Sequence, residues 1–226
     1  MKEFILHIDI HKTGTTSIQS ALMNYNDGET IYASALTENN SIPLGLLFYP
    51  ERALRIYKRM GKSFLDIFLL KIRFIIVLLY YLINPRPRRL IFSGEMMSIF
   101  PRRIIYKFIR ILTFFGTKVR VICYVRNPYD FMKSAVCTKI ISPFLPRDNF
   151  QPKYDLKNGI QPYIDCLGIK NVTIYNYDEI VKKQSIVDHF FSELDLHKSS
   201  KARDKNVSLS APALALMNEI INRIDF

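Results

Sequence analysis

The chain has 226 residues, of which 49% are hydrophobic and 23% charged, ordinary globular usage that excludes a disordered or fibrous protein. Thirty-two Lys and Arg against twenty Asp and Glu leave a net charge of +12, so an anionic partner is expected: nucleic acid, acidic lipid, polyanionic glycan or a phosphorylated cofactor. Cys123, Cys137 and Cys166 show no CxxC spacing and the histidines His7, His11, His189 and His197 do not cluster with them, which excludes a disulfide scaffold, argues against a metal site and points to a reducing, cytoplasmic compartment.

In chain order, residues 4–10 predict a strand, interrupted by His7 and Asp9 and lacking a small-residue cleavage site, so no signal peptide is expected. This strand runs straight into His11, Lys12, Thr13, Gly14, Thr15, Thr16 and Ser17, and then a helix over 16–25. A small-residue turn between a strand and a helix N-terminus presents backbone N–H groups and a positive dipole end to an anion. Gly14 allows close backbone approach, Lys12 supplies a point charge, and Thr15 and Thr16 offer hydroxyl donors. The order is not G-x-x-x-x-G-K-[ST]; Gly61-Lys62-Ser63 imitates its ending, but Ile56 stands where the upstream glycine belongs.

A weaker strand is predicted over 31–35 and a helix over 51–60. Residues 64–83 form a long apolar helix that contains Asp66, Lys71 and Arg73. The charge-free run 74–83 covers only ~15 Å against a ~30 Å hydrocarbon core, too short to span. Lys62, Asp66, Arg73 and Tyr80 share one narrow face and leave a broad apolar surface. Two readings stay open: a helix buried in the domain, or an interfacial helix giving peripheral membrane contact through 64–89. In the second, Tyr80, Tyr81, Arg86, Arg88 and Arg89 meet lipid headgroups. The stretch NPRPRR at 84–89 is a stiff basic connector.

Residues 90–93 predict a buried strand with Gly94 and Glu95 at its carboxyl end, the edge where open α/β sheets bind ligands. A helix over 102–115 follows, then a strand over 119–125 holding Cys123 as a core thiol. Arg126 leaves that strand, Asn127 is placed to cap a helix over 129–141, and Pro128 suits its first turn. Ser134, eight residues after Arg126, lies about two turns into the helix, so a forked guanidinium and a neutral hydroxyl can address one phosphate. Three prolines mark 141–157 as a loop; helices over 158–167, 185–194 and 211–224 and a strand over 172–175 complete the chain. Short apolar runs alternating with amphipathic segments predict an α/β protein with a mostly parallel sheet, and no repeat or boundary divides it.

The loop Lys12-Thr13-Gly14-Thr15-Thr16 resembles the K-[ST]-G-[ST]-[ST] phosphosulfate loop of the sulfotransferases that use 3′-phosphoadenosine-5′-phosphosulfate, and HKTGTTSIQ is similar to bacterial members. Arg126-Asn127-Pro128-Tyr129-Asp130 with Ser134 resembles that family's 3′-phosphate motif, and VTIYNYDEI, IVDHFFSELDL and NVSLS resemble later stretches. The resemblance implies a P-loop-like three-layer fold in a single domain over 1–226, with an acceptor-binding insertion at 36–89. It also implies a cofactor site made of Lys12, Thr13, Gly14, Thr15, Thr16, Ser17, Arg126 and Ser134. The implied reaction moves a sulfuryl group to a hydroxyl of a carbohydrate or lipid-linked acceptor by in-line displacement, leaving 3′,5′-adenosine bisphosphate, without metal. Such a transfer needs a cation at the departing phosphate oxygen and a base at the acceptor. Lys12 fills the first role and Glu95 the second, as in family members acting on glycans; His11 is the rival base. The segment 198–205 is either a basic lid on the 3′-phosphate or a solvated loop.

The alternative is a degenerate member that serves as a nucleotide- or membrane-binding scaffold. A nucleic-acid partner is not expected, because no RNP, KH, zinc-finger or helix-turn-helix pattern accompanies the charge. A kinase lacks both the Walker sequence and a clear Mg²⁺-binding Asp. The expected localisation is cytoplasmic, with the inner face of the membrane included should 64–89 touch lipid.

Overall fold

Five runs rich in branched and aromatic residues form one sheet: β1 (Glu3–Asp9), β2 (Thr30–Tyr32), β3 (Arg89–Gly94), β4 (Lys118–Val125) and β5 (Val172–Asn176), all parallel, in the order β2-β3-β1-β4-β5. A computed structural model describes residues 2–10, 12–34, 37–59, 61–114, 116–141 and 155–197. The predicted helix over 211–224, the segment 198–205, His11 and residues 142–154 of the predicted loop lie outside the described residues.

The central strand sends apolar residues to both faces because both are covered, with the buried His7 as the polar exception. Phe4, Leu6 and Ile8 face a core shared with α2 (Ser41–Phe48), α3 (Pro50–Arg59), α4 (Phe64–Ile83), α5 (Arg102–Phe114) and α7 (Leu156–Leu167). Ile5 faces the opposite core, shared with α1 (Thr15–Leu22) and α9 (Ile186–Glu193), and the fully buried His7 ring sits there against Tyr124 and Phe190. Helices on both faces of a wholly parallel sheet give the expected three-layer α/β architecture. α6 (Pro128–Ile141) follows β4, and the single turn α8 (Tyr177–Ile180) follows β5.

Register brings the carboxyl ends of three strands together. Ile8 pairs with Gly94 on one side and Cys123 on the other, and Asp9 pairs with Tyr124. The loops after β1, β3 and β4 therefore leave from one edge. The chain crosses from β3 to β4 over β1, so this edge includes the reversal point where open α/β sheets bind ligands.

Two elements depart from the sequence reading. α2 carries Pro43 and Gly45 and is apolar all round, so no period marks it. Its glycine marks close packing: a Cβ on Gly45 would stand 2.7 Å from Met96 Sδ and 3.0 Å from Ala53 Cβ.

α4 starts at a reciprocal cap, with the Asp66 N–H donating to Ser63 Oγ (3.2 Å) and the Ser63 N–H to the Asp66 carboxylate (2.9 Å). It buries only the stripe Ile67, Leu70, Phe74 and Tyr81. Tyr81 packs at a tilt on Phe4 and Phe74 on Phe92, at centroid distances of 5.1 and 5.7 Å. Of the two readings of 64–83, burial in the domain therefore holds for one stripe of the helix and not for the rest. One sheet face accepts one stripe, and a helix whose apolar surface is broader than that stripe leaves the rest outside. Leu65 is 62% exposed, Ile76 57% and Ile83 77%. Among the described residues no helix is long and apolar enough to cross a membrane.

Candidate functional site at the carboxyl edge of the sheet

The loop from β1 to α1 takes a conformation few sequences tolerate. Lys12 has φ 65° and Gly14 φ 76°, both left-handed, on either side of Thr13. A lysine in that region is uncommon and strained by about 1 kcal/mol or more, so the surrounding structure imposes it. Alternation of this kind turns successive N–H groups toward one point and makes a concavity for an anion. The α1 ladder begins with the Ser17 and Ile18 N–H groups donating to the Gly14 carbonyl, at 3.0 and 3.2 Å, so the Thr15 and Thr16 amides precede it. Gly14 is required twice, by its φ and by space: a Cβ there would lie 2.8 Å from Ile186 Cγ2, at the start of α9.

Thr13 and Ser17 are buried, whereas Thr16 is exposed. Thr15 Oγ1 is buried and finds no hydrogen-bond partner among the described residues. A hydroxyl left so costs about 1–3 kcal/mol, and an anion oxygen seated on the helix N-terminus would supply the missing acceptor. A phosphate or phosphosulfate group fits the residues present.

Arg126, at the end of β4, is joined to this loop. Its Nη1 donates to the Lys12 carbonyl at 3.3 Å, its Nε to Asp178 Oδ1 at 3.2 Å, and its guanidinium lies 5.3 Å from the Tyr177 ring centre. Asp178 also accepts from the Asn127 N–H at 2.8 Å. These contacts orient the fork, whose five N–H donors allow several simultaneous partners. Asn127 caps α6 as expected, its side-chain oxygen accepting from the Tyr129 N–H at 2.9 Å. Ser134 lies two turns along that helix and is half-buried.

Glu95 opens a short 3₁₀ turn (Glu95–Ile99) directly after β3 and is half-buried. It emerges beside β1 on the side opposite Arg126. Its backbone is set by neighbours the sequence did not single out. Asn40 Oδ1 accepts from the Ser93 N–H (2.9 Å), Asn40 Nδ2 donates to the Ala33 carbonyl (2.7 Å), and Ser41 Oγ accepts from the Met96 N–H (2.9 Å). Gly94 permits this approach, since a Cβ there would stand 2.8 Å from the Ser41 nitrogen. Gln19 Nε2 donates to the Ser93 carbonyl at 3.3 Å, tying α1 to the same strand end. The structure thus gathers Lys12, the Gly14–Thr16 turn, Arg126 and Glu95 at one edge. Asp178 was missed; its only sequence signal is an acid in the first turn of a helix that Asn176 caps.

No protein-family model matches the chain, and no curated protein matches it in sequence. Among solved structures, the sulfotransferase from Alicyclobacillus acidocaldarius superposes with a TM-score of 0.51 at 14% identity, over 100% of this chain and 97% of its own. The chain shares the fold of that structure. Two further structures overlap less well. A PezAT chromosomal toxin–antitoxin structure from Streptococcus pneumoniae has a TM-score of 0.41 at 13% identity, covering 98% of this chain and 86% of that one. Retinol dehydratase in complex with androsterone and the inactive cofactor PAP has 0.39 at 11%, covering 97% and 64%.

Proposed function

We propose that the protein is a sulfotransferase that takes a sulfuryl group from 3′-phosphoadenosine-5′-phosphosulfate and passes it to a hydroxyl of a carbohydrate or lipid-linked acceptor. The observation that carries this reading is the joining of two anion-binding elements: Arg126 reaches the Lys12 carbonyl across the edge of a sulfotransferase-fold sheet. The bound nucleotide would supply the activated sulfuryl group. The amides of the Gly14–Thr16 turn and the Lys12 ammonium would hold the 5′ end and its growing negative charge. Arg126 and Ser134 would hold the 3′-phosphate. The Glu95 carboxylate would take the proton of the acceptor hydroxyl as it attacks. A scaffold that binds nucleotide without turnover is the second reading, favoured by the Asp178 carboxylate already engaging Arg126.

Calorimetric titration with 3′,5′-adenosine bisphosphate, beside ATP, tests the proposal. Binding of the bisphosphate without added metal is expected. Selective ATP binding that requires Mg²⁺ would overturn the reading, and bisphosphate binding without sulfuryl transfer to any hydroxyl acceptor would favour the scaffold.

A further inference from the structure

Ten of the exposed large hydrophobic side chains belong to α4, among them Phe64, Leu65, Ile72, Ile76, Tyr80 and Ile83. On a helix of 3.6 residues per turn they form an arc broader than 100°, facing away from the buried stripe. Exposed Lys62 and Arg73 lie along one edge, half-buried Lys71 along the other, and exposed Arg86 and Arg88 follow the helix. The one acid of the helix, Asp66, is engaged by Ser63 in the cap. Residues 51–89 hold ten Lys and Arg against Glu51 and Asp66, so the stretch that contains α4 carries most of the net charge of +12.

We infer that α4 docks the protein on an anionic lipid bilayer, lying in the interface with its apolar arc among the acyl chains and its basic edges at the headgroups. A second copy of the chain fits the same face poorly. An antiparallel pair would set Arg73, at the middle of the helix, against the Arg73 of its mate, and either orientation would press two strongly cationic segments together. The arc is also wider than a two-residue coiled-coil seam. Ile76 and Tyr80 border an open cleft of about 350 Å³ that also meets Asn24, Asn26 and Ser34, polar groups able to receive a headgroup.

α4 runs antiparallel to the strands, with Tyr81 against Phe4 at the start of β1 and Phe74 against Phe92 near the end of β3. Its Phe64 end therefore points toward the sheet edge that carries Lys12 and Glu95. The docking stands apart from the sulfotransferase reading; only its consequence, that the acceptor be lipid-linked, rests on that reading.

Flotation of the full chain tests the docking without any nucleotide. The probes are vesicles of phosphatidylglycerol and phosphatidylcholine in equal parts, beside phosphatidylcholine alone. Flotation with the anionic vesicles, weakening as salt rises, is expected. Ile72→Glu/Ile76→Glu should lower partitioning about a hundredfold, and Lys62→Gln/Arg73→Gln about fivefold for each charge removed, with thermal unfolding unchanged because all four side chains are exposed. Three results would overturn the inference: no binding to anionic vesicles, undiminished binding by Ile72→Glu/Ile76→Glu, or a dimer in light scattering that this variant dissolves in the absence of vesicle binding.

Discussion

Gly14→Ala tests the anion loop where backbone and packing constraints coincide. The residue keeps φ 76°, and forcing alanine into that region costs about 1–2 kcal/mol. The new Cβ would also stand 2.8 Å from Ile186 Cγ2. That methyl cannot easily give way, since Ile186 is β-branched and only 5% exposed. Overpacking of this kind adds about 1–3 kcal/mol, so Gly14→Ala should destabilise by about 2–5 kcal/mol in total. Ile186→Ala removes the opposing methyl and by itself costs about 2–5 kcal/mol as a cavity. The double variant should therefore be less destabilised than the sum of the singles by the relieved clash, about 1–3 kcal/mol. Urea denaturation of the four proteins reads this coupling directly. The φ strain persists in the double variant, so its affinity for 3′,5′-adenosine bisphosphate should stay below wild type. Additive single effects, within about 0.5 kcal/mol, would refute the packing of the loop against α9.

Burial pushes the His7 imidazole down to about 3, and its Nε2 has no hydrogen-bond partner among the described residues while Nδ1 lies 2.8 Å from Ser93 Oγ. The unfolded chain then takes up a proton near pH 6.5 that the folded chain refuses, so this stability is complete above about pH 6.5 and is lost progressively as pH falls toward about 3. Between neutrality and about pH 5 the loss is about 2 kcal/mol, and denaturation at the two pH values should show it in wild type but not in His7→Gln. His189, also lowered by burial, contributes in the same direction to both proteins and cancels in that comparison. An equal pH dependence in His7→Gln would refute the assignment. For the chemistry, Glu95→Gln should lower sulfuryl transfer to glycan acceptors about 10²–10⁴-fold with bisphosphate affinity nearly unchanged, whereas near-normal turnover would remove Glu95 as the base.

Much of the site was legible because its signals are local. The Gly/Thr turn between an apolar strand and a helix, and Arg126-Asn127-Pro128 as a strand end and a capped helix, both lie where they were expected. The strands β1, β3, β4 and β5 match their predicted runs to within a residue or two, since branched and aromatic residues suit a pleated, covered surface. Strand order, the pairing of Ile8 with both Gly94 and Cys123, and so the meeting of Lys12, Arg126 and Glu95 at one edge came only from the tertiary structure. So did Asp178, which reaches Arg126 across 52 residues of chain, and the Asn40 and Ser41 side chains that fix the approach to Glu95. Periodicity could show that α4 is apolar nearly all round but not which stripe meets the sheet. Propensity, capping and turn chemistry act between near neighbours, whereas burial and register are settled by which distant surfaces exclude water from one another.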